Sequence, residues 1–112
     1  MRRIQHFING QHKEGISGRS SDVYDPATGK VQAQVDLASV VEVHEAVAAA
    51  KTAAVHWAES SLTQRTQIMF RFRELLAART DELARVISGE HGKVVSDAAG
   101  EVARGLEYVE FA

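Results

Sequence analysis

The apolar residues of this chain change period near residue 38. Before that point they alternate or cluster in short runs bounded by turn residues. Phe7-Ile8-Asn9-Gly10-Gln11-His12 places Asn-Gly after an apolar pair. Both residues accept positive φ, as a type I′ turn requires, so strands are expected over 4–8 and 11–14. Gly15-Ile16-Ser17-Gly18-Arg19-Ser20-Ser21 reads as a polar, glycine-rich loop. Val23-Tyr24-Asp25 leads into a second turn at Pro26-Ala27-Thr28-Gly29, where proline presets φ and Gly29 tolerates the reversal. Val31, Ala33 and Val35 then alternate with Gln32 and Gln34, the pattern of a strand with one buried face. The pattern predicts a pair of β-hairpins over residues 1–37 and a helical region over 38–112.

Ser39-Val40-Val41-Glu42 has the spacing of a capping box, in which serine and glutamate satisfy the first amides of a helix. Val43, Val47, Ala50, Ala54 and Trp57 follow on one helical face, with His44, Glu45 and Lys51 on the other. Ser60-Ser61 closes that helix and caps the next. Ile68, Phe72, Leu75, Leu76, Leu83, Val86 and Ile87 form a second apolar face. Thr80-Asp81-Glu82 in its middle has the form of a cap followed by first-turn acids, so this stretch is one kinked helix or two short ones. Gly89 and Gly92 are expected to stop it. A last helix puts Val95, Ala98, Val102, Leu106 and Val109 on one stripe and Asp97, Glu101, Arg104 and Tyr108 beside it, with Glu107 and Glu110 facing away. Its periodicity runs to Ala112 without a stop signal, as in a chain that is cut.

Composition narrows the function classes. With 112 residues the chain is large enough for one core, and 45% hydrophobic with 25% charged residues is globular. A net charge of −2 with scattered basic residues leaves no footprint for nucleic acid. No apolar run approaches the length of a membrane span, and the start Met1-Arg2-Arg3-Ile4-Gln5-His6-Phe7 lacks the apolar core of a secretory signal. Cysteine is absent, which removes disulfides, thiolate metal sites and a cysteine nucleophile from these residues and fits a cytoplasmic setting.

Few residues then remain as candidates for chemistry. Gly89-Glu90-His91-Gly92-Lys93 has too few residues between its glycines for a phosphate loop, and Val94 stands where a hydroxyl should ligate magnesium; a helix stop and a turn are the simpler reading. His6, His12, His44, His56 and His91 have no metal-ligand spacing and read as surface residues. Trp57 reads as a core or inter-element anchor. Arg104 borders the apolar stripe between Gly100 and Gly105. A partly sheltered guanidinium grips a carboxylate through two parallel hydrogen bonds, but pairing with Glu101 or Glu107 one turn away, braced by Asp97, is the ordinary outcome on a helix surface.

The motifs together resemble a known family. Phe7-Ile8-Asn9-Gly10, Asp25-Pro26-Ala27-Thr28-Gly29, Ala46-Val47-Ala48-Ala49-Ala50 through Trp57, Arg65, and Glu90-His91-Gly92-Lys93 are similar, in order and spacing, to the N-terminal portion of NAD-dependent aldehyde dehydrogenases. Asp97-Ala98-Ala99-Gly100-Glu101-Val102-Ala103-Arg104-Gly105-Leu106-Glu107-Tyr108-Val109-Glu110 resembles the acylating methylmalonate-semialdehyde dehydrogenase branch.

The resemblance implies an α/β parent fold with a Rossmann-type NAD domain, of which this chain supplies N-terminal β-hairpins and three to four amphipathic helices. It also implies oxidation of methylmalonate or malonate semialdehyde with NAD and coenzyme A, in valine, pyrimidine and inositol breakdown. A cysteine thiolate attacks the aldehyde, hydride leaves to NAD, and the thioester passes to coenzyme A with loss of carbon dioxide. The position matching the arginine associated with the substrate carboxylate is Arg104. Homo-oligomeric, tetrameric assembly in the cytoplasm is implied as well. The nucleophile, the general-base glutamate, the glycine-rich cofactor turn and the oxyanion asparagine have no counterpart in these residues, so the chain is expected to be inactive alone. The competing expectations are a free-standing helical interaction or oligomerisation module, and the N-terminal part of another aldehyde dehydrogenase.

Overall fold

The computed structural model describes residues 1–112. Its elements are β1 (Arg2–Ile4), β2 (His6–Ile8), β3 (Gln11–Lys13), β4 (Ser20–Tyr24), β5 (Val31–Asp36), α1 (Val40–Glu59), α2 (Leu62–Ala78), α3 (Thr80–His91) and α4 (Val95–Phe111). They form two compact units: Met1–Tyr24 with Gly29–Glu59, and Asp25–Thr28 with Ser60–Ala112.

In the first unit, β2 and β3 pair antiparallel around Asn9 and Gly10, whose φ values of 53° and 75° are those of the expected type I′ turn. β4 and β5 form the second expected hairpin. The predicted strand over 4–8, however, is broken at Gln5. Its first part, β1, runs parallel to β5, so the larger sheet has the order β1-β5-β4. The physical reason is an edge: β4 covers only one side of β5, and the N-terminal residues satisfy the other. Ala33 faces the small core of this unit, with Val31 and Val35 half-buried beside it.

α1 begins on the capping box the sequence predicts. The Ser39 amide donates to Glu42 Oε2 at 2.7 Å, and the Glu42 amide donates to Ser39 Oγ at 3.3 Å. Its apolar stripe is another matter. Val47 is 60% exposed and Trp57 44%, so neither is core, and Trp57 is not the buried anchor the sequence suggests. Within its unit, α1 is held at its first turn, where Glu42 is buried, and the short strands cover little of its remaining length.

The second unit is built around α4, which packs against both α2 and α3. Ala84 and Ala98 have no exposed surface, and Val102 is also buried; small residues here let the helix backbones approach closely. Leu106 and Val109 extend the stripe, half-buried, as predicted. A capping box opens α2, with Ser61 Oγ accepting from the Gln64 amide and Gln64 Oε1 from the Ser61 amide, both at 3.2 Å. The ambiguity over 62–91 resolves as two helices parted by the single residue Arg79, at φ −109° and ψ 16°. Thr80 does not cap α3. Its hydroxyl turns back to donate to the Ala77 carbonyl at 2.9 Å, closing α2 instead.

The packing face of α2 also differs from the predicted one. Arg65, Thr66, Met69, Arg73 and Leu76 are sheltered, whereas Ile68, Phe72 and Leu75 are exposed. The long arginine side chains serve this face: Arg73 reaches Glu110 of α4, and Arg65 buries its stem together with its Nε, so a face that looks polar in sequence serves as a packing face. Gly89 lies inside α3, and Gly92 alone ends it, at φ 84° with its amide donating to the Ser88 carbonyl at 2.8 Å.

Candidate functional site

The turn from α3 into α4 positions the candidate residues. Gly92 takes the left-handed conformation, and Ser88 Oγ donates to the Lys93 carbonyl at 2.7 Å. Lys93 Nζ in turn pairs with the Glu101 carboxylate two turns into α4. The Lys93 hydrogen bond holds the Glu101 carboxyl below its usual range, with smaller attractive contributions from His91 and Arg104. The helix stop and turn expected over 89–93 are present: residues 89–91 end α3, Gly92 caps it, and Lys93 is committed to a carboxylate.

That pairing decides the state of Arg104. Glu101 is taken by Lys93, and Glu110 accepts from Arg73 Nε at 2.8 Å across α2 and α4, rather than facing away into solvent as expected. No hydrogen bond or ion pair engages Arg104, so the pairing with Glu101 or Glu107 that helix spacing favours is not made. The guanidinium borders a recess of about 310 Å³ lined by Arg104, Glu107, Tyr108 and Phe111. Tyr108 is 78% exposed and Phe111 91%. Tyr108 lies on the Arg104 stripe as expected, and Phe111, absent from the expected stripe, joins it seven residues beyond Arg104 on the same face.

A second polar constellation lies in the first unit, and only its Ser39–Glu42 capping box shows in the side-chain spacing. Asp36 is buried and accepts from the Gly15 amide at 2.8 Å and from Arg3 Nε at 2.5 Å. The Gly15 amide, more than the Arg3 contact, keeps its carboxyl below the ordinary value against the opposing cost of burial. Glu42 is likewise buried, accepting from the Ser39 amide and from the Ile16 amide at 2.8 Å. The Ser39 amide, then the Ile16 amide and the Ser39 hydroxyl, bring its pKa down to about 2. His6 Nε2 lies 3.6 Å from Glu42 Oε1 with a 16% exposed side chain, so His6 is not the surface histidine expected, while the other four are exposed. Beyond the Ser39–Glu42 capping box, the carboxylates grip the Gly15 and Ile16 amides of a distant loop, and such a role has no side-chain spacing to read.

Comparison with known proteins adds the context. The sequence pattern of the aldehyde dehydrogenase family matches residues 12–112. The chain is 48% identical over 109 residues to malonate-semialdehyde dehydrogenase 3 of Geobacillus kaustophilus (strain HTA426), covering 97% of this chain and 22% of the relative. Among solved structures, methylmalonate-semialdehyde dehydrogenase from Oceanimonas doudoroffii superposes with a TM-score of 0.95 at 45% identity, covering 99% of this chain and 22% of that one. A protein from Sinorhizobium meliloti 1021 in complex with NAD, described as a methylmalonate-semialdehyde dehydrogenase, gives 0.96 at 43% identity, covering 99% of this chain and 23% of that one. The 112 residues thus span about a fifth of the length of these relatives, as part of an α/β parent fold. The chain belongs to the aldehyde dehydrogenase family.

Proposed function

We propose that these residues are the N-terminal segment of an oxidoreductase that converts malonate or methylmalonate semialdehyde to acetyl- or propionyl-coenzyme A with NAD, and that Arg104 binds the substrate carboxylate. The observation that carries the site assignment is the uncommitted guanidinium. Of the acids near it on α4, Glu101 is drawn off by Lys93 and Glu110 by Arg73, Glu107 makes no ion pair with it, and a recess lies beside it. A planar guanidinium held free of internal partners suits a carboxylate-bearing aldehyde. The names of the relatives support the substrate class.

The chain's own part in the reaction is recognition. It contains no cysteine, so a thiolate nucleophile comes from other residues of the full-length enzyme. At the start of α1, the helix after β5, the capping box takes up the Ser39 and Glu42 amides, which are then not open to a pyrophosphate. NAD binding, coenzyme A transfer, tetramer formation and a cytoplasmic place in valine breakdown belong to the same proposal at the level of the whole enzyme. No helix of the chain is long and apolar enough to cross a membrane.

The test is Arg104→Ala in the full-length enzyme, with kcat/KM measured for malonate semialdehyde and for propanal. Loss of a charge-assisted hydrogen-bonded pair, about 1.5–3 kcal/mol, lowers the semialdehyde value roughly 10- to 100-fold and leaves propanal nearly unchanged. Arg104→Lys keeps the charge without the fork and falls between. Equal losses on both aldehydes overturn the assignment.

A further inference from the structure

We infer that Tyr108 contacts the α-substituent of the substrate and sets the preference between malonate semialdehyde and its α-methyl homologue. The inference rests on the reading of Arg104 as the carboxylate contact. Arg104, Tyr108 and Phe111 stand at positions i, i+4 and i+7 of α4, within roughly 60° of arc. Side chains on a helix lean toward its N-terminus, so the Tyr108 ring inclines over the turn that carries Arg104. Those side chains line one recess, and no hydrogen bond or ring contact draws Tyr108 away from it.

The chemistry of the substrate turns this geometry into selectivity. The methyl group that distinguishes the two semialdehydes is carried by the carbon bonded to the carboxylate. A carboxylate seated on Arg104 therefore brings that carbon and its substituent against the nearest neighbour along the helix. That neighbour is an aromatic ring, with Phe111 one turn further on. Glu107, the fourth residue of the recess, repels the substrate carboxylate and so favours its placement on the Arg104 side. An apolar ring at van der Waals distance favours the methyl compound, and a single methyl group is worth roughly tenfold or more in kcat/KM in such contacts.

The experiment measures kcat/KM for methylmalonate semialdehyde and malonate semialdehyde in the full-length enzyme and in its Tyr108→Ala and Tyr108→Phe variants. The readout is the ratio of the two values within one variant, from which any loss of folded enzyme cancels. Tyr108→Ala is expected to lower the methyl-to-unsubstituted ratio about tenfold, and Tyr108→Phe, which keeps the ring, to preserve it. An unchanged or raised ratio in Tyr108→Ala, or a fall in Tyr108→Phe as large as in alanine, overturns the inference. Arg104→Ala separates the two levels. If it still discriminates against semialdehydes relative to propanal while Tyr108→Ala leaves the ratio unchanged, this inference alone fails. If it loses propanal oxidation equally, the carboxylate reading fails and the inference falls with it.

Discussion

Replacing Gly92 by alanine tests whether the turn that sets up α4 depends on a residue without a side chain. Gly92 lies at φ 84°, and a Cβ built there would stand 2.9 Å from Cγ and 3.2 Å from Cβ of Pro26. Left-handed backbone costs an alanine about 1–2 kcal/mol. Pushing the rigid proline ring aside adds about 1–3 kcal/mol, the range of overpacking, even though Gly92 and Pro26 are themselves exposed. The less flexible unfolded chain returns about 0.4–1 kcal/mol. The net local loss is about 3 kcal/mol, which corresponds to roughly a hundredfold faster opening-limited exchange. Native-state hydrogen exchange read by mass spectrometry, on peptides covering α3 and the first half of α4 in the full-length enzyme, measures it directly. Pro26→Ala in the Gly92→Ala background removes the closest contact and is expected to restore about 1–2 kcal/mol of the loss. Exchange that changes less than about threefold in Gly92→Ala refutes both the conformational and the steric argument. No recovery on adding Pro26→Ala refutes the steric part alone.

Two further predictions concern the helix caps and the buried carboxylates. Ser61→Ala removes the hydroxyl that accepts from the Gln64 amide in the α2 capping box and is expected to cost about 1 kcal/mol, read as faster exchange confined to the first turn of α2. The pKa of Glu42 is depressed to about 2 by hydrogen bonds formed in the fold, and that of Asp36 is lowered in the same direction. The stabilisation they give is therefore fully present above the unfolded carboxyl range near pH 4–5 and is lost as pH falls toward about 2. In Glu42→Gln this acid-side loss should shrink, measured as a flatter dependence of exchange protection at Ile16 on pH between about 5 and 3; an unaltered slope refutes the attribution to Glu42.

The elements were legible where a side-chain pattern is itself the cause of the structure. Asn9-Gly10 makes its turn through positive φ, Ser39 with Glu42 and Ser61 open their helices through hydroxyls, and Ala98 with Val102 face a neighbour because apolar area leaves water. Failures fall where the cause lies elsewhere in the chain. β1 was hidden because its partner is the open edge of β5, about thirty residues away, and edge pairing leaves no mark on the strand that completes it. The α2 face was misread because Ile68 and Phe72 make an equally good apolar stripe, and the choice depends on which face α4 meets. At the site, helix spacing favoured a paired Arg104. The competition for Glu101 was invisible because Lys93 precedes the helix and reaches it only through the Gly92 turn.

The carboxylates of Asp36 and Glu42 hold residues 15 and 16 by their main-chain amides. Two adjacent positions are thereby placed under opposite steric constraints. At residue 16 the amide does the binding while the side chain points into solvent, so substitutions other than proline can accumulate without moving the loop. At residue 15 a Cβ would come within 2.8 Å of the Asp36 Cβ and 3.1 Å of His6 Nε2, so only glycine lets the backbone come that close. At its start the loop is thus held through its main chain by two acids that lie outside it, while further on Ser17 and Arg19 hold it through their side chains to the carbonyls of residues 37 and 38.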